Sequence, residues 1–192
     1  MKTKSPSTTR IAIAGAAGRM GQAIVRSIRT VPGAELVGAV EMSVHKDLGK
    51  DVGVLAGTDK NGILLSDDLR TVLFKADVLI DFTFHSAVPL NAGLAAQMGR
   101  AMVIGTTGLD PAESDAVKKA AEKIPIVWAP NMSVGVNLLF AMVRKAAEAL
   151  ATGYAVEIDE THHIHKKDSP SGTALKLGEK VAEGLGVDFK SV

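Results

Sequence analysis

Three histidines and two lysines fall within six consecutive positions, in the segment HHIHKK that runs from His162 to Lys167. Imidazole titrates near neutral pH and can deliver a proton, and Lys166 offers a fixed cation or a second proton. A metal site is an alternative, but the neighbours His162 and His163 on a strand would face opposite sides and converge poorly on one ion. A solvated polar loop is the third possibility. We favour acid catalysis with anion binding, and we expect no metal.

The segment SPSGTA follows, and a helix is predicted to begin within it. Ser171, Gly172 and Thr173 stand at this helix start, where free N–H groups and a hydroxyl can hold a carboxylate. The segment therefore predicts a substrate that carries a carboxylate.

A glycine loop lies near the other end of the chain, in IAIAGAAGRMGQAIV. Gly15, Gly18 and Gly21 separate an apolar strand from a helix, and glycine lets backbone N–H groups approach a phosphate closely. The spacing is G-x-x-G-x-x-G rather than G-x-G-x-x-G, so a tight turn without a ligand is the alternative. The loop lacks the G-K-[ST] ending of a nucleotide triphosphatase, which favours a dinucleotide over ATP.

Glu41 ends the second strand about 20 residues after the glycine loop, where a carboxylate that binds the ribose is expected. A carboxylate accepts hydrogen bonds from both ribose hydroxyls and repels a 2′-phosphate, so Glu41 favours NADH. Met42 follows it, where an arginine would favour NADPH, but Arg19, His45 and Lys46 are near enough in sequence to offer charge. Either NADH or NADPH is therefore possible, with a preference for NADH.

Short apolar strands alternate with helical patterns, which predicts a Rossmann-like, doubly wound parallel sheet of the α/β class. The predicted strands are Ile11–Ala14, Glu35–Val40, Ile63–Leu65, Val78–Thr83, Met102–Thr106 and a buried Ile126–Trp128. The predicted helices are Gly18–Arg29, Ser86–Gly99 and Pro111–Lys123. Ligands of such sheets bind at the carboxyl ends of the strands, where GAAGRMG, Glu41, DFTFH, GTTG and APNMS all fall.

The pattern changes after Asn131. A long amphipathic helix is predicted at Val134–Leu150, and the alternation of Tyr154–His163 predicts a strand with one solvated face. We expect a dinucleotide-binding domain at residues 1–130, with 1–9 as a flexible tail. A smaller, incomplete α+β substrate domain is expected at residues 131–192.

The composition is that of an ordinary globular protein, with 46% hydrophobic and 22% charged residues and a net charge of +1. The absence of a basic stripe argues against nucleic acid as a partner. The absence of cysteine excludes disulfides and suits the cytoplasm. No apolar run is long enough for a membrane span.

The combination of GAAGRMG, DFT, GTTG, APNMSVGVN and ETHHIHKKDSPSGTA resembles the 4-hydroxy-tetrahydrodipicolinate reductase (dihydrodipicolinate reductase) family of bacterial lysine and diaminopimelate synthesis. The resemblance runs from about Arg10 to the end of the chain. It implies that NAD(P)H reduces a small, unsaturated cyclic dicarboxylate, with loss of water from the hydroxylated form.

The resemblance also implies residue roles. His162 would donate or accept the proton and Lys166 would be a second proton donor, while His163, Ser171, Gly172 and Thr173 would contact the substrate. The cofactor would be lined by Gly15, Ala16, Ala17, Gly18, Arg19, Met20, Gly21, Glu41, Gly105, Thr106, Thr107, Ala129, Pro130, Asn131 and Met132.

This sequence departs from the family pattern in several places. Met132 replaces a phenylalanine, DFTFH lacks an arginine that some members carry after DFT, and Ile164 replaces another arginine. Family chains run on for several dozen residues, so we expect a C-terminal truncation and a homo-oligomer, the family tetramer, if the substrate domain were complete. The alternatives are a fragment that binds NAD(P)H without turnover and another Rossmann oxidoreductase acting on a small carboxylate.

Overall fold

The computed structural model describes residues 8–150, 153–162, 164 and 169–191. Within these residues the chain forms six β-strands and seven α-helices. The strands are β1 (Thr9–Ala14), β2 (Ala34–Val40), β3 (Leu65–Ser66), β4 (Val78–Asp81), β5 (Ala101–Ile104) and β6 (Ile126–Trp128). The helices are α1 (Arg19–Ile28), α2 (Val52–Leu55), α3 (Leu69–Lys75), α4 (Val88–Gln97), α5 (Pro111–Ala121), α6 (Val134–Leu150) and α7 (Gly172–Leu185).

The six strands form one parallel sheet in the order β3-β2-β1-β4-β5-β6. The direction of chain progression reverses between β1 and β4, and open sheets of this kind bind ligands at the carboxyl ends of the strands beside that point. The predicted Rossmann-like, doubly wound parallel sheet is therefore confirmed. The glycine loop after β1 and Glu41 after β2 both lie at this edge.

Helices cover both faces of the sheet because alternate residues of each strand face opposite sides. Ala12 and Ala14 of β1 are fully buried in a cluster with residues of α3, α4 and α5. Ile13, also fully buried, belongs to a second cluster with residues of α1 and α2. Two apolar layers therefore fix the sheet and position its carboxyl edge.

Side chains cap the starts of α2, α3, α5 and α7 and accept hydrogen bonds from N–H groups of the first turn. Asp68 accepts from Thr71 at α3, and Ser171 accepts from Ala174 at α7. At α5, Asp110 and Glu113 form a reciprocal capping box. The N-terminus of α1 has no such side-chain cap.

Contacts divide the chain into two compact units, Met1–Trp128 and Ala129–Val192. In the second unit, α6 packs against α7 at a close approach. A Cβ atom added at Gly184 would lie 2.3 Å from the backbone oxygen of Arg144, so only glycine fits there. Arg144 also pairs with Glu183, with 3.8 Å between Nε and Oε1.

The strand predicted at Tyr154–His163 is wrong for residues 154–162, which form neither strand nor helix. A strand needs a neighbour that accepts and donates its backbone hydrogen bonds, and the described residues offer none to this segment. His163 lies outside the described residues.

Helices α2 and α3 were not predicted. The glycine-rich segment around α2 is held together by Asp51, whose carboxylate accepts from the N–H groups of Gly53 at 2.9 Å and Gly62 at 2.7 Å. This buried carboxylate joins the start of α2 to the turn at Gly62, 11 residues after Asp51. The short helix therefore depends on tertiary contacts.

β6 was predicted as a buried strand, but Val127 is 60% exposed and Trp128 is 39% exposed. The reason is its place at the end of the strand order, where β5 is its only partner among the described residues.

Among the described residues, no helix combines the length and the apolar character needed to cross a lipid bilayer.

Candidate functional site

The three glycines after β1 serve different purposes. Gly15 has φ +76°, and a Cβ atom there would lie 2.5 Å from the backbone oxygen of Phe82. A Cβ atom at Gly21 would lie 2.2 Å from the backbone oxygen of Gly15, whereas one at Gly18 would lie 3.2 Å from the same oxygen. Gly15 therefore permits the turn and Gly21 lets α1 approach the loop. Gly18 is the least constrained.

The loop is fixed to the end of β2. The N–H groups of Gly15 and Ala16 both donate to the backbone oxygen of Val40, at 3.0 and 3.2 Å. The N–H of Ala17 donates to Oε2 of Glu41 at 3.3 Å. The predicted phosphate loop and the predicted ribose carboxylate are therefore in direct contact.

The start of α1 offers donors to an anion. Its first backbone hydrogen bond runs from the N–H of Gln22 to the oxygen of Gly18, at 2.9 Å. The N–H groups of Arg19, Met20 and Gly21 come before it, at positions where a helix has no acceptor of its own. Together with the helix dipole, these groups suit a phosphate.

A cavity of about 770 Å³ opens at the carboxyl edge of the sheet. Its lining includes Gly15, Glu41, Ser43, Arg70 and Phe84. Arg70 and Phe84 were not predicted as site residues, although each lies shortly after a strand, β3 for one and β4 for the other. That position at a carboxyl edge was the available signal. The cavity is large enough for half of a dinucleotide.

Asp81, at the end of β4, is fully buried and organises two loops. Its carboxylate accepts from Nδ2 of Asn91 at 2.8 Å and from the N–H and hydroxyl of Thr83 at 2.9 and 2.7 Å. The hydroxyl of Thr106 lies 3.3 Å from Asp81 and 3.1 Å from the backbone oxygen of Thr83. This network ties the loop after β4 to the GTTG loop after β5, where Thr107 is exposed.

Two further contacts join the same loops. A Cβ atom at Gly105 would lie 2.1 Å from the ring of Phe82, so glycine is needed for this packing. Nδ1 of His85 lies 2.8 Å from Oε2 of Glu113, the residue that completes the capping box of α5 with Asp110. The loops after β4 and β5 are therefore positioned as one surface.

In the second unit, the structure brings His162 beside a carboxylate that was not predicted as a site residue. Nε2 of His162 lies 2.7 Å from Oε2 of Glu160. The backbone N–H of Ser171 donates to Oε1 of Glu160 at 2.7 Å, and the hydroxyl of Ser171 donates to Oε2. The available signal was spacing: Glu160 stands two residues before His162, in the segment already singled out.

These contacts stabilise the ionised form of Glu160. Hydrogen bonds from the hydroxyl of Ser171 and from His162 lower the pKa of the Glu160 carboxyl from 4.5 to about 2. A lowered pKa favours the folded contact above pH 4.5, and this contribution is lost as the pH falls towards 2.

We therefore expect the backbone N–H signal of Ser171 to titrate with a midpoint of about 2, measured by NMR chemical shift against pH. Glu160→Gln should abolish this titration, which assigns it to Glu160. A midpoint near 4.5 would contradict the contact.

The segment after β6 places two of the predicted sets of residues in contact. Nδ2 of Asn131, a predicted cofactor residue, donates to Oγ1 of Thr173, a predicted substrate residue, at 3.3 Å. Oδ1 of Asn131 accepts from the N–H of Ser133 at 2.9 Å. Met132 is 41% exposed. Ala129 and Gly172 are half-buried, and Pro130 is exposed.

Two predicted residues, His163 and Lys166, lie outside the described residues. In the part of the chain that is described, no group of three or more histidine, aspartate or glutamate side chains is arranged to hold a metal ion.

Two family descriptions match this chain, "Dihydrodipicolinate reductase, N-terminus" over residues 9–132 and "Dihydrodipicolinate reductase, C-terminus" over residues 135–190. The 4-hydroxy-tetrahydrodipicolinate reductase of Anaeromyxobacter dehalogenans is 52% identical over 178 residues, which cover 93% of this chain and 66% of that protein. The reductase of Desulfotalea psychrophila is 46% identical, over 96% of this chain and 68% of that protein.

A solved structure of the same family also matches this chain. The dipicolinate-bound dihydrodipicolinate reductase from Paenisporosarcina sp. TG-14 is 32% identical with a TM-score of 0.69, over 92% of this chain and 66% of that one. The chain thus spans about two thirds of the length of the relatives it matches. Since the matched regions extend from the glycine loop through α7, this chain belongs to the dihydrodipicolinate reductase family.

Proposed function

We propose that the protein uses NAD(P)H to reduce 4-hydroxy-tetrahydrodipicolinate to tetrahydrodipicolinate, in the synthesis of diaminopimelate and lysine. The observation that carries this proposal is the match of both family regions to one chain, with relatives about half identical. The reaction takes up one hydride and one proton and releases one water. A site for the hydride carrier and a site for the proton are therefore both required.

The first unit supplies the cofactor site in this proposal. The uncapped start of α1 fits the pyrophosphate, and the cavity beside Glu41 fits the adenosine half. When bound, the nicotinamide supplies the hydride. The loops joined by Asp81, which include Gly105, Thr106 and Thr107, would hold the cofactor further along the sheet edge.

The second unit supplies the proton and holds the substrate in this proposal. His162 would exchange the proton, and Lys166 would be a second donor, as the resemblance implies. Negative charge builds on the substrate as it accepts the hydride, and a cationic acid nearby stabilises that charge. Gly172 and Thr173, with His163, would orient a carboxylate of the substrate. Ser171, the fourth residue of the predicted substrate set, would hold the start of α7 beside them through its hydrogen bonds to Glu160. The related Paenisporosarcina structure binds dipicolinate, which is a compound of this dicarboxylate class.

We propose that NADH is preferred to NADPH because the carboxylate of Glu41 lines the proposed ribose pocket. Arg70 lines the same cavity and offers a cation to a 2′-phosphate, so NADPH would still bind. The family resemblance also implies a cytoplasmic protein that forms a homo-oligomer, and both stay predictions.

Glu41→Gln should weaken NADH binding about tenfold, since a hydrogen bond to a charged group contributes about 1.5–3 kcal/mol. NADPH should lose less than about threefold, because the repulsion of its 2′-phosphate is removed at the same time. Fluorescence titration with both cofactors measures this difference. Glu35→Gln, which removes one charge at the other end of β2, is the matched control. An equal loss for both cofactors would count against the ribose role of Glu41.

The proposed function is tested by titrating NADH and then adding enzymatically generated 4-hydroxy-tetrahydrodipicolinate while following nicotinamide absorbance. We expect saturable binding followed by substrate-dependent oxidation of NADH. Binding without oxidation would refute turnover by this chain and leave a nucleotide-binding protein. Absence of binding would refute both.

A further inference from the structure

Ser171 has no donor left for a substrate while Glu160 holds it. Its backbone N–H and its hydroxyl hydrogen both go to the Glu160 carboxylate. The hydroxyl oxygen also accepts from the N–H of Ala174 at 3.0 Å, and Ser171 is only 3% exposed. A hydroxyl has one hydrogen to donate, so this residue is fully used within the protein. The substrate carboxylate is left to Gly172 and Thr173.

Glu160 also decides which nitrogen of His162 carries the hydrogen. An ionised carboxylate only accepts hydrogen bonds, and Oε2 of Glu160 lies 2.7 Å from Nε2 of His162. Nε2 must therefore be the donor, since two acceptors would repel each other. In the neutral ring Nδ1 is then unprotonated, and it is the nitrogen that can take up and deliver a proton.

The Glu160 carboxylate thus contacts both the imidazole of His162 and the start of α7. Glu160 joins the imidazole of His162 to the first turn of α7 through Ser171, over a separation of 11 residues in sequence. The side chain of Glu160 is 27% exposed, and that of His162 is 39% exposed, so the imidazole stays accessible to solvent.

We propose that Glu160 is a positioning residue that fixes His162 as the Nε2–H tautomer and ties it to the start of α7. Nδ1 of His162 is then the nitrogen that exchanges the proton in the reaction proposed above, on which this inference rests. The carboxylate does not touch the substrate in this arrangement; it acts through His162 and Ser171.

The test is the imidazole nitrogen NMR spectrum of the full chain, recorded in alkaline buffer so that the two neutral tautomers can be compared. The signals of His162 are assigned by their loss in His162→Gln. In the wild type we expect Nε2 to be protonated. Glu160→Gln keeps one acceptor oxygen. When that oxygen accepts a hydrogen bond from the N–H of Ser171, the NH2 group of the new amide faces Nε2 of His162. We then expect the Nδ1–H tautomer to become populated.

Kinetics provide the second measurement. Glu160→Gln should lower kcat about 10- to 100-fold, a loss smaller than that from a fully buried orienting carboxylate because this contact is half-exposed. KM for the substrate should change less than about threefold. Glu160→Asp keeps the carboxylate and should recover part of both kcat and the Nε2–H tautomer.

Glu157→Gln is the matched control, because it removes the same charge from an exposed position on the same segment. An unchanged tautomer in Glu160→Gln, or an equal loss of kcat in Glu157→Gln, would overturn the inference. The tautomer measurement needs no turnover. If the wild-type chain does not oxidise NADH, the proposed function fails while the positioning role of Glu160 is still decided by the spectrum.

Discussion

Replacing His162 with glutamine is expected to lower turnover by about 10²- to 10⁴-fold, the range for a residue that transfers a proton in the rate-limiting step. Glutamine keeps a polar side chain of similar reach but cannot exchange a proton near neutral pH. Affinity for NADH should stay within about twofold, because the proposed cofactor contacts of the first unit are untouched. Steady-state turnover and NADH fluorescence titration measure the two quantities.

A loss of turnover without a loss of NADH affinity is the result that would support proton transfer by His162. A general loss of folded protein would lower turnover and NADH binding together, and far-ultraviolet circular dichroism would show it. Equal losses in turnover and in cofactor affinity, with the fold intact, would contradict the proton-transfer role. Full turnover in the variant would exclude it.

Replacing Gly21 with alanine is expected to have the largest effect on the first unit. The new Cβ atom would lie 2.2 Å from the backbone oxygen of Gly15 and 2.6 Å from the Cα of Ala16. Neither backbone atom can move without opening the turn after β1. We expect the free energy of unfolding to fall by about 2–4 kcal/mol and NADH affinity to fall more than about tenfold. Thermal unfolding and NADH titration measure both.

Gly135→Ala is the control for Gly21→Ala. Gly135 lies in α6, and the atom closest to its added Cβ would be Oγ of Ser133 at 3.8 Å, an ordinary contact. Gly135 is the second residue of α6, so the gain of about 0.5–1 kcal/mol for alanine over glycine in a helix interior is an upper limit at this position. We therefore expect no loss of stability there. If Gly21→Ala also unfolded at or above the wild-type temperature, the close approach of α1 to the loop would be excluded.

The two loops after β4 and β5 explain why the motifs DFT and GTTG belong together. Asp81 is fully buried, and its carboxylate receives hydrogen bonds from Asn91, Thr83 and Thr106. A buried carboxylate is tolerated only when such donors surround it. The network therefore gives the sheet edge a fixed shape, on which the proposed cofactor contacts of Gly105 and Thr107 depend.

Much of the fold followed from the sequence because the strands are short apolar runs bounded by helical patterns. Such runs are buried on both faces and predict a parallel sheet with helices on either side. Glycine at positions 15, 18 and 21, followed by Glu41, predicted the loop and its carboxylate as neighbours. The hydrogen bond from Ala17 to Glu41 confirms that proximity.

The segment Tyr154–His163 shows where periodicity was insufficient. Alternating apolar and polar residues favour a strand, but a strand exists only when a neighbouring strand pairs with it. In the described residues 154–162 that partner is missing, and the alternation by itself produces no strand. The exposure of β6 has a related cause, since edge position is a property of strand order and not of the strand's own residues.

The sequence by itself determined the parallel sheet, the glycine loop and the cluster of residues suited to proton transfer, because each depends on residue types at close spacing. Only the tertiary structure decided that Glu160 holds both His162 and Ser171, that Asp81 joins two loops, and that Arg70 and Phe84 line the cavity beside Glu41. Apart from Glu160 and His162, which are two residues apart, these contacts join positions that are well separated in the chain, by 11 residues for Glu160 and Ser171 and by 25 for Asp81 and Thr106. The distances between these side chains depend on how the helices and strands pack against one another. The residues next to each side chain in the sequence do not determine that packing.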